Sequence, residues 1–354
     1  MNKVKIGVLG CTGIVGQQFI RMLNDHPYFE VVALTSSKKS AGNKYSDAAD
    51  WIVSENVPES VKDMLITETV LEEILKKNVK VVFSGLPAEA AKNIEGALAE
   101  EGVHVFTNAS AYRMDPHVPI VIPEVNPEHL DLVKDSSLKK RGFIVTNSNC
   151  TTTGLVLGLK PLQNFGLKSV VVTTYQALSG AGRRGVASLD ILGNVLPYIK
   201  NEEEKVEKET LKILGTLQNN SVKDADFEMN TSCCRVPTRD GHLESMVVEL
   251  EEDIDVQTIS KALSSFRGVP QDLRLPTAPE VPVIVRDEED RPQPMLDVNA
   301  GRPNRAKGMA VSVGRIRKKG KRVNFFLLVH NTIRGAAGTC ILNAELAVVK
   351  NYIK

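Results

Sequence analysis

Three glycines spaced three residues apart, Gly10, Gly13 and Gly16, constrain the fold of this chain more than any other feature. They follow the short apolar run 4–9, and residues with helical spacing begin at Gln17. Glycines between a strand and a helix permit a tight turn and let backbone N–H groups approach a phosphate at the helix N-terminus. A lone glycine pattern is weak evidence, because tight turns need glycine for other reasons. Its place between the first strand and the first helix predicts a nucleotide site.

The first half of the chain alternates strand-like and helix-like segments, which predicts an α/β domain with a doubly wound, Rossmann-type parallel sheet. Beyond residue 150, strand-like runs follow one another with few helices, which predicts a second, α+β domain with a mixed or antiparallel sheet. We expect a nucleotide-binding domain at 1–149, completed by a C-terminal helix at 332–354, and a catalytic and oligomerisation domain at 150–331. The proline-rich, charged stretch 270–303 predicts a loop, and residues 201–217 predict a helix.

The loop after the second predicted strand indicates which dinucleotide is bound. An NAD site usually has an acidic residue there for the ribose 2′-hydroxyl. Residues 35–42 instead carry hydroxyls and lysines, which suit a 2′-phosphate, so we predict NADP. The alternative is a polar surface loop with solvated lysines. The cofactor residues predicted in this half are Gly10, Thr12, Gly13, Ile14, Val15, Gly16, Ser36, Ser37, Lys38, Ser40 and Gly85.

Cys150 lies between the strand-like run 142–146 and the helix-like run 155–159. A thiol at a helix start lies near the positive end of the helix dipole, where the thiolate is stabilised as a nucleophile. The alternative is a buried, inert cysteine. A nucleophilic cysteine needs a base, and His242, at a turn after two arginines, is the best candidate, with His330 its rival. Arg235 or Arg239 would bind a carboxylate in bidentate fashion.

Composition narrows the class of protein. A net charge of +1 over 354 residues gives no reason to expect nucleic acid or a membrane surface as partner. No apolar run approaches the roughly 18 residues that span a bilayer. Five cysteines without framework spacing predict a reducing, cytoplasmic location. No histidine or cysteine pattern is spaced for zinc, so no metal is expected.

Together these motifs resemble aspartate-β-semialdehyde dehydrogenases, over nearly the whole chain and most closely the archaeal and fungal branch. The glycine turn is generic, whereas the Asn-Cys-Thr run and the block from Arg235 to His242 are specific in combination. The segments that carry the resemblance are 10–16, 147–151, 175–182, 201–205, 235–242 and 331–338.

The resemblance implies a role for each matching residue. Cys150 would be the nucleophile, His242 the acid/base, and Gln176 would position the substrate. Arg235 would bind the substrate carboxylate, and Glu202 its amino group, although Glu203 and Glu204 adjoin it. The remaining implied residues are Asn149 for substrate, Lys205 and Arg113 for phosphate, and Ser179, Gly180 and Asn331 near the nicotinamide.

The implied reaction is the NADPH-dependent reductive dephosphorylation of L-aspartyl-4-phosphate to L-aspartate 4-semialdehyde. This reaction serves lysine, diaminopimelate, threonine, methionine and isoleucine biosynthesis. The implied partners are the small-molecule substrates and further copies of the chain, as a homodimer or homotetramer. Two alternatives stay open: a short-chain malonyl-CoA reductase with the same Cys150 thioester chemistry, and a non-catalytic NADP-sensing protein. Glyceraldehyde-3-phosphate dehydrogenase and N-acetyl-glutamyl-phosphate reductase use similar thiol chemistry but match the Arg235–His242 block less well.

Overall fold

The computed structural model describes residues 2–134 and 141–353. The chain divides into two compact units. The first comprises Met1–Val121, Glu128–Asn147 and Ala336–Lys354, and the second comprises Ile122–Pro127 and Ser148–Gly335. Met1, residues 135–140 and Lys354, which fall within the predicted first domain, lie outside the described residues.

The first unit is built on a six-stranded sheet. Its strands are β1 (Val4–Leu9), β2 (Phe29–Ser36), β3 (Thr67–Glu68), β4 (Val81–Ser84), β5 (His104–Thr107) and β6 (Ile144–Thr146). Its helices before β6 are α1 (Ile14–Leu23), α2 (Tyr45–Ala48), α3 (Glu59–Lys62), α4 (Leu71–Leu75) and α5 (Ala88–Glu100).

The strand order in this sheet is β3-β2-β1-β4-β5-β6, and every neighbouring pair is parallel. Parallel strands joined by helices are covered on both faces, and all four residues of β4 are accordingly buried. This is the doubly wound order of dinucleotide-binding sheets, so the predicted fold class of the first half is confirmed.

The second unit contains a second six-stranded sheet and a short hairpin. Its helices are α6 (Cys150–Leu159), α7 (Ser188–Ile191), α8 (Glu202–Ile213), α9 (Val256–Ser264), α10 (Val269–Asp272) and α11 (Pro294–Asp297). Its strands are β7 (Leu167–Gln176), β8 (Thr216–Gln218), β9 (Ser221–Lys223), β10 (Glu228–Arg235), β11 (His242–Leu250), β12 (Val283–Arg286), β13 (Val311–Lys319) and β14 (Arg322–Val329).

The strand order of the larger sheet is β10-β7-β11-β14-β13-β12. Its outer pairs, β10 with β7 and β12 with β13, are parallel, and its three central pairs are antiparallel. Strands β8 and β9 form the separate hairpin. The predicted mixed sheet is therefore confirmed.

Three predictions about elements are wrong. The C-terminal helix predicted at 332–354 is an α-helix only over Gly338–Val349, preceded by a π-helical turn at Ile333–Ala337. The stretch 270–303, predicted as a loop, contains strand β12, because pairing with β13 is a long-range contact that local proline content does not reveal. The helix predicted at 201–217 ends at Ile213. Two residues later the backbone passes close to β9, where a Cβ on Gly215 would lie 2.3 Å from the carbonyl oxygen of Lys223.

Glycines in α6 allow this helix to lie directly on the second sheet. A Cβ on Gly154 would lie 2.8 Å from Cβ of Val329, and one on Gly158 would lie 2.7 Å from Cδ1 of Leu327. Both contacts are with β14, whose last residue, Val329, pairs in register with His242 of β11. The close packing of α6 thus brings its first turn to the end of the sheet where His242 lies.

Helix α8 covers the edge strand β10. The carboxylate of Glu203 accepts a hydrogen bond from the N–H of Cys233 at 3.0 Å, and that of Glu207 accepts one from the N–H of Thr231 at 3.0 Å. The two glutamates are four residues apart on the helix, and the two N–H groups are two residues apart on the strand. Without the glutamates, the open edge of the sheet would leave these N–H groups unpaired.

The last helix, α12 (Gly338–Val349), packs against β5 and α1 within the first unit. A buried contact of 2.8 Å joins Oε1 of Glu345 on this helix to Nε2 of His26. Within residues 2–134 and 141–353, no helix is long and apolar enough to span a membrane.

Candidate active site

Cys150 is the first residue of α6, and Asn149 caps the helix. Oδ1 of Asn149 accepts hydrogen bonds from the N–H groups of Thr151 at 2.8 Å and Thr152 at 3.4 Å. Capping fixes the first turn of the helix, whose positive end stabilises an anion. The thiol therefore occupies the helix start that the sequence predicts.

Cys150 and His242 are in contact, although 92 residues separate them in the chain. Sγ of Cys150 lies 3.2 Å from Nε2 of His242. Cys150 is partly exposed, whereas His242 is fully buried. The predicted nucleophile and its predicted partner thus form one pair.

The second ring nitrogen of His242 determines the tautomer. Nδ1 accepts a hydrogen bond from the backbone N–H of Ala177 at 3.0 Å, so Nδ1 carries no proton. The proton of the neutral ring is then on Nε2, facing the Cys150 sulfur. Burial lowers the pKa of His242 well below its usual value, and the charges of Arg235 and His330 lower it further. The ring is therefore neutral near pH 7 and donates from Nε2 toward the sulfur.

Arg235 is buried at the same end of the sheet, where it pairs in register with Gln176 of β7. Its Nη1 donates to the carbonyl oxygen of Ala177 at 2.8 Å. Burial lowers the pKa of Arg235, and the nearby charges of Cys150 and Glu202 act in the opposite direction. Arg239, by contrast, is exposed and contacts Asp240. Of the two arginines, Arg235 is therefore the one beside the thiol.

Gly180 makes room for this arrangement. A Cβ at that position would lie 2.8 Å from Nη1 of Arg235 and 3.2 Å from Nε2 of His242. A side chain there would displace the guanidinium or the imidazole.

The three consecutive glutamates of α8 have three different environments. Glu202 is buried, and its Oε1 accepts a hydrogen bond from Nδ2 of Asn149 at 2.9 Å. Glu203 contacts β10, and Glu204 is exposed and pairs with Lys208 at 2.7 Å. Only Glu202 reaches the residue preceding the nucleophile, which favours it over its two neighbours as a substrate contact. Lys205 is half-buried on the same helix.

Asn331 connects two loops near His242. Its Oδ1 accepts from the N–H of Gly241 at 2.9 Å, and its Nδ2 donates to Oγ of Ser179 at 2.8 Å. Gln176, also buried, donates from Nε2 to Oγ1 of Thr174 at 3.3 Å. The predicted roles of these residues toward substrate and nicotinamide stay predictions.

Sequence reasoning missed Gly335, which packs against the nucleophile. A Cβ on Gly335 would lie 2.7 Å from Cβ and 2.9 Å from Cα of Cys150. Gly335 lies in a π-helical turn, Ile333–Ala337, and its N–H donates to the carbonyl of His330 at 2.9 Å. The glycine belongs to the predicted segment 331–338, but nothing in the local sequence indicates that it faces Cys150.

The buried pair of Arg334 and Glu124 holds the same turn. Nη1 of Arg334 donates to Oε1 of Glu124 at 2.9 Å and Nη2 donates to Oε2 at 2.5 Å, with both side chains fully buried. A bidentate pair fixes the guanidinium plane, and with it the turn that carries Gly335.

In the first unit, the glycine turn forms a cradle that a side chain would fill. A Cβ on Gly16 would lie 2.2 Å from the carbonyl oxygen of Gly10, which itself has a φ of +71°. Helix α1 starts after Gly13 without a side-chain cap, which leaves the N–H groups of its first turn for an anion. Oγ1 of Thr12 lies 2.8 Å from Oγ of Ser36, so the loop after β2 adjoins the turn.

These residues fit a dinucleotide with a 2′-phosphate. The glycine turn suits a pyrophosphate, and the serines and lysines after β2 suit the additional phosphate. The predicted cofactor residues in the first unit are Gly10, Thr12, Gly13, Ile14, Val15, Gly16, Ser36, Ser37, Lys38, Ser40 and Gly85, and those in the second are Ser179, Gly180 and Asn331.

Arg113, predicted to bind phosphate, belongs to the first unit. It is buried, and its Nη2 donates to the carbonyl oxygen of Asn108 at 2.7 Å.

Of the four cysteines other than Cys150, Cys11, Cys233 and Cys340 are buried and Cys234 is half-buried on the opposite side of β10 from Cys233. Among residues 2–134 and 141–353, no three His, Cys, Asp or Glu side chains form a group that could hold a metal ion.

Comparison with known proteins identifies the family. Residues 5–133 match the family model described as semialdehyde dehydrogenase, NAD binding domain, and residues 159–334 match semialdehyde dehydrogenase, dimerisation domain. An aspartate-semialdehyde dehydrogenase from Archaeoglobus fulgidus is 49% identical over 354 residues, which cover 99% of this chain and 100% of that protein. The chain belongs to the aspartate-semialdehyde dehydrogenase family.

Two further relatives bear on substrate and cofactor. A crystal structure of aspartate semialdehyde dehydrogenase with NADP from Candida albicans is 41% identical, with a TM-score of 0.89 over 99% of this chain and 100% of that one. A malonyl CoA reductase (NADP) from Metallosphaera sedula is 40% identical, covering 99% of this chain and 98% of that protein. The predicted family is confirmed, and the match to a dimerisation domain is consistent with a homo-oligomer.

Proposed function

We propose that this protein is an NADP-dependent aspartate-semialdehyde dehydrogenase, which converts L-aspartyl-4-phosphate to L-aspartate 4-semialdehyde and phosphate through a Cys150 thioester. The observation that carries this proposal is the contact of 3.2 Å between Sγ of Cys150 and Nε2 of His242, close to the buried side chains of Arg235 and Glu202. The family and the NADP-bound relative support the activity and the cofactor.

In the proposed mechanism the Cys150 thiolate attacks the acyl carbon of the substrate. A carbon–sulfur bond forms, and the bond to the phosphate oxygen breaks. Lys205 and Arg113 would stabilise the charge of the departing phosphate. When bound, NADPH supplies the hydride that reduces the thioester.

His242 stabilises the negative charge that forms on the oxygen of the thiohemiacetal. Its Nε2–H, which faces the sulfur, donates to the oxygen that becomes negatively charged on reduction. That oxygen re-forms the carbonyl group as the carbon–sulfur bond breaks and the aldehyde leaves, so Nε2 keeps its proton throughout. Cys150 is thereby restored as a thiolate next to a neutral imidazole.

Arg235 and Glu202 would recognise the two charged groups of the amino acid. Arg235 would bind the α-carboxylate and Glu202 the α-ammonium, with Gln176 positioning the acyl group. We propose that NADP lies on the glycine turn of the first unit, with Ser179, Gly180 and Asn331 near its nicotinamide. The capped, partly exposed thiol and the buried charges beside it support these assignments.

The 40% identity to a malonyl CoA reductase makes that activity the second candidate. Malonyl-CoA would acylate Cys150 by the same chemistry, with CoA instead of phosphate as the leaving group, but its acyl group carries a carboxylate and no ammonium. A buried carboxylate at Glu202 attracts an ammonium and repels a second carboxylate, which favours the amino acid. A non-catalytic, NADP-sensing protein would need neither the thiol–imidazole pair nor the charged residues around it.

Steady-state assays separate these candidates. We expect NADP reduction with aspartate semialdehyde and phosphate, and loss of that activity in Cys150→Ser. Activity with malonyl-CoA alone would contradict the proposal in favour of the reductase. Two results together would favour the sensor: the wild-type protein turns over neither substrate, and the Cys150→Ser variant keeps full biological activity.

We further propose that the protein acts in the cytoplasm as a homodimer or homotetramer built through the second unit. The match of residues 159–334 to a dimerisation domain supports assembly. Light scattering coupled to size-exclusion chromatography gives the number of subunits, and a monomer at micromolar concentration would contradict the oligomer.

A further inference from the structure

The residue before the nucleophile is held by two carboxylates of α8. The backbone N–H of Asn149 donates to Oε2 of Glu209 at 2.5 Å, and its side-chain amide donates to Oε1 of Glu202 at 2.9 Å. Both glutamates and Asn149 are buried. Glu202 is accounted for by the proposed substrate site, whereas Glu209 has no part in that mechanism.

The contacts of Asn149 reproduce a capping box with one member taken from another helix. In a capping box, the cap side chain accepts from an N–H in the first turn, and a glutamate at the third helical position accepts from the cap N–H. In α6 the first half is present, because Oδ1 of Asn149 accepts from Thr151 and Thr152. The third helical position is Thr152, which has no carboxylate, and Glu209 of α8 supplies the missing acceptor.

Helix α8 is itself fixed to the second sheet. Glu203 and Glu207 hold it against the edge strand β10. Glu202 and Glu209 are seven residues apart, about two helical turns, and therefore lie on a common side of the helix, toward α6. The position of Asn149, and of the thiol next to it, is thus set by contacts with α8 as well as by the packing of α6 on β14.

We propose that Glu209 is a positioning residue for Cys150. By holding the N–H of Asn149, it sets the first turn of α6, the contact of Sγ with His242, and the spacing between the nucleophile and Glu202. Only the last of these consequences depends on the proposed function, because the thiol and its imidazole partner are positioned whatever the substrate is.

The test compares Glu209→Ala, Glu209→Asp and Glu209→Gln with Glu207→Ala. Alanine removes the acceptor, aspartate withdraws it by one methylene, and glutamine retains an oxygen at the same reach. Glu207→Ala is the matched control, because it removes an equivalent bond from the same helix to a strand N–H that is remote from Cys150.

Two readouts are needed. The first is the rate of alkylation of Cys150 by iodoacetamide across pH 6–9 without substrate, followed by mass spectrometry. The second is kcat and KM for aspartate semialdehyde. We expect Glu209→Ala and Glu209→Asp to shift the alkylation profile and to lower kcat about 10-fold to 100-fold, the range for loss of one hydrogen bond to a charged group. Glu209→Gln and Glu207→Ala should stay within about 3-fold of wild type in both.

The inference is overturned if the alanine and aspartate variants keep wild-type alkylation and kcat. It is equally overturned if Glu207→Ala loses as much as Glu209→Ala, since general weakening of α8 would then explain both. If Glu209→Ala does not fold, Glu209→Asp against Glu209→Gln makes the same comparison. Wild-type protein without dehydrogenase activity would refute the proposed function, while the alkylation profiles would still test Glu209.

Discussion

At the scale of single residues, the proton on His242 determines what this side chain can do. The N–H of Ala177 occupies Nδ1, so the imidazole cannot gain a second proton without placing two donors face to face. A cysteine–histidine ion pair is therefore disfavoured here, and the neutral ring acts through its Nε2–H. A neutral imidazole held in this way can still stabilise a developing negative charge.

We predict that His242 stays neutral and Nε2-protonated well below the usual histidine range near pH 6.5. Burial, followed by the charges of Arg235 and His330, lowers its pKa, so acidification to pH 6 leaves the ring uncharged. NMR of protein labelled with ¹⁵N-histidine measures both properties, and His242→Asn assigns the resonance. A ring that titrates near pH 6.5, or carries its proton on Nδ1, would contradict this assignment. The same variant should lower kcat about 10²-fold to 10³-fold, the usual effect of removing one hydrogen-bond donor to a developing oxyanion.

Gly335 provides a second prediction at this scale. A methyl group there would overlap Cys150, because it would lie 2.7 Å from Cβ and 2.9 Å from Cα of that residue. We expect Gly335→Ala to displace the nucleophile and lower kcat by at least about 10-fold, since small displacements of reacting groups have large effects on rate. NADPH affinity, measured by fluorescence titration, should remain near wild type. An alanine variant with full kcat would show that the turn can relax.

At the scale of elements, the turn between β1 and α1 depends on Gly16 more than on Gly13. A Cβ on Gly16 would meet the carbonyl oxygen of Gly10 at 2.2 Å and Cα of Cys11 at 2.7 Å, and neither backbone atom can rotate away. A Cβ on Gly13 would meet the same oxygen at 3.4 Å, an ordinary contact. The three glycines of the motif are therefore not equivalent in their structural demands.

We predict that Gly16→Ala lowers the free energy of unfolding by about 1–3 kcal/mol, the usual cost of forced overpacking. Gly13→Ala is the matched control and should change stability by less than about 1 kcal/mol, because its methyl group has room. Urea unfolding followed by circular dichroism measures both. Equal losses for the two variants would refute the steric explanation.

The glutamates of α8 make contacts of three different kinds. Glu203 and Glu207 satisfy an exposed strand edge, Glu202 and Glu209 hold Asn149, and Glu204 pairs with Lys208 in solvent. A run of acidic residues usually indicates a solvated face. Here the packing of the helix gives each of these side chains a different partner.

At the scale of the whole molecule, Glu244 makes the stability of the protein depend on pH. It lies on β11 two residues after His242, is fully buried, and neither carboxyl oxygen has a hydrogen-bond partner among the described residues. Burial raises its pKa well above the usual value. In the unfolded chain a glutamate titrates near pH 4.3. Between about pH 4.3 and the raised pKa of the folded state, the folded protein keeps a proton on Glu244 that the unfolded chain has lost. The free energy of unfolding therefore falls as pH rises, by about 1.4 kcal/mol per pH unit.

We therefore predict that Glu244→Gln is more stable than wild type at pH 7 and equal to it below about pH 4, where the glutamate is protonated in both states. Thermal unfolding at pH 4, 6 and 8 measures the difference. Glu249→Gln is the control from the same strand, because Arg322 lowers the pKa of Glu249 and its loss should not stabilise the protein. A glutamine variant no more stable than wild type at pH 8 would refute this account.

Much of the architecture can be predicted from local sequence. The alternating apolar runs and the glycine turn predict the parallel sheet, and the series of strand-like runs with few helices after residue 150 predicts the mixed one. Strand β12 and the end of α8 at Ile213 could not be predicted in this way. Strand β12 is defined by its pairing with β13, and the chain after α8 passes close to β9. Sequence periodicity does not encode either of these long-range contacts.

By itself, the sequence determined the fold class, and the resemblance of its motifs to those of aspartate-β-semialdehyde dehydrogenases indicated the family and the pairing of Cys150 with His242. The fold class follows from the alternation of strand-like and helix-like runs, which reflects local geometry, whereas the residues alone leave His330 as a rival of His242. Only the tertiary structure decided the tautomer of His242, the one glutamate of three that reaches Asn149, and the roles of Gly335 and Glu209 beside the nucleophile. These contacts join residues about 50 to 190 positions apart, and they exist only because α6, α8 and β11 pack at one end of the second sheet.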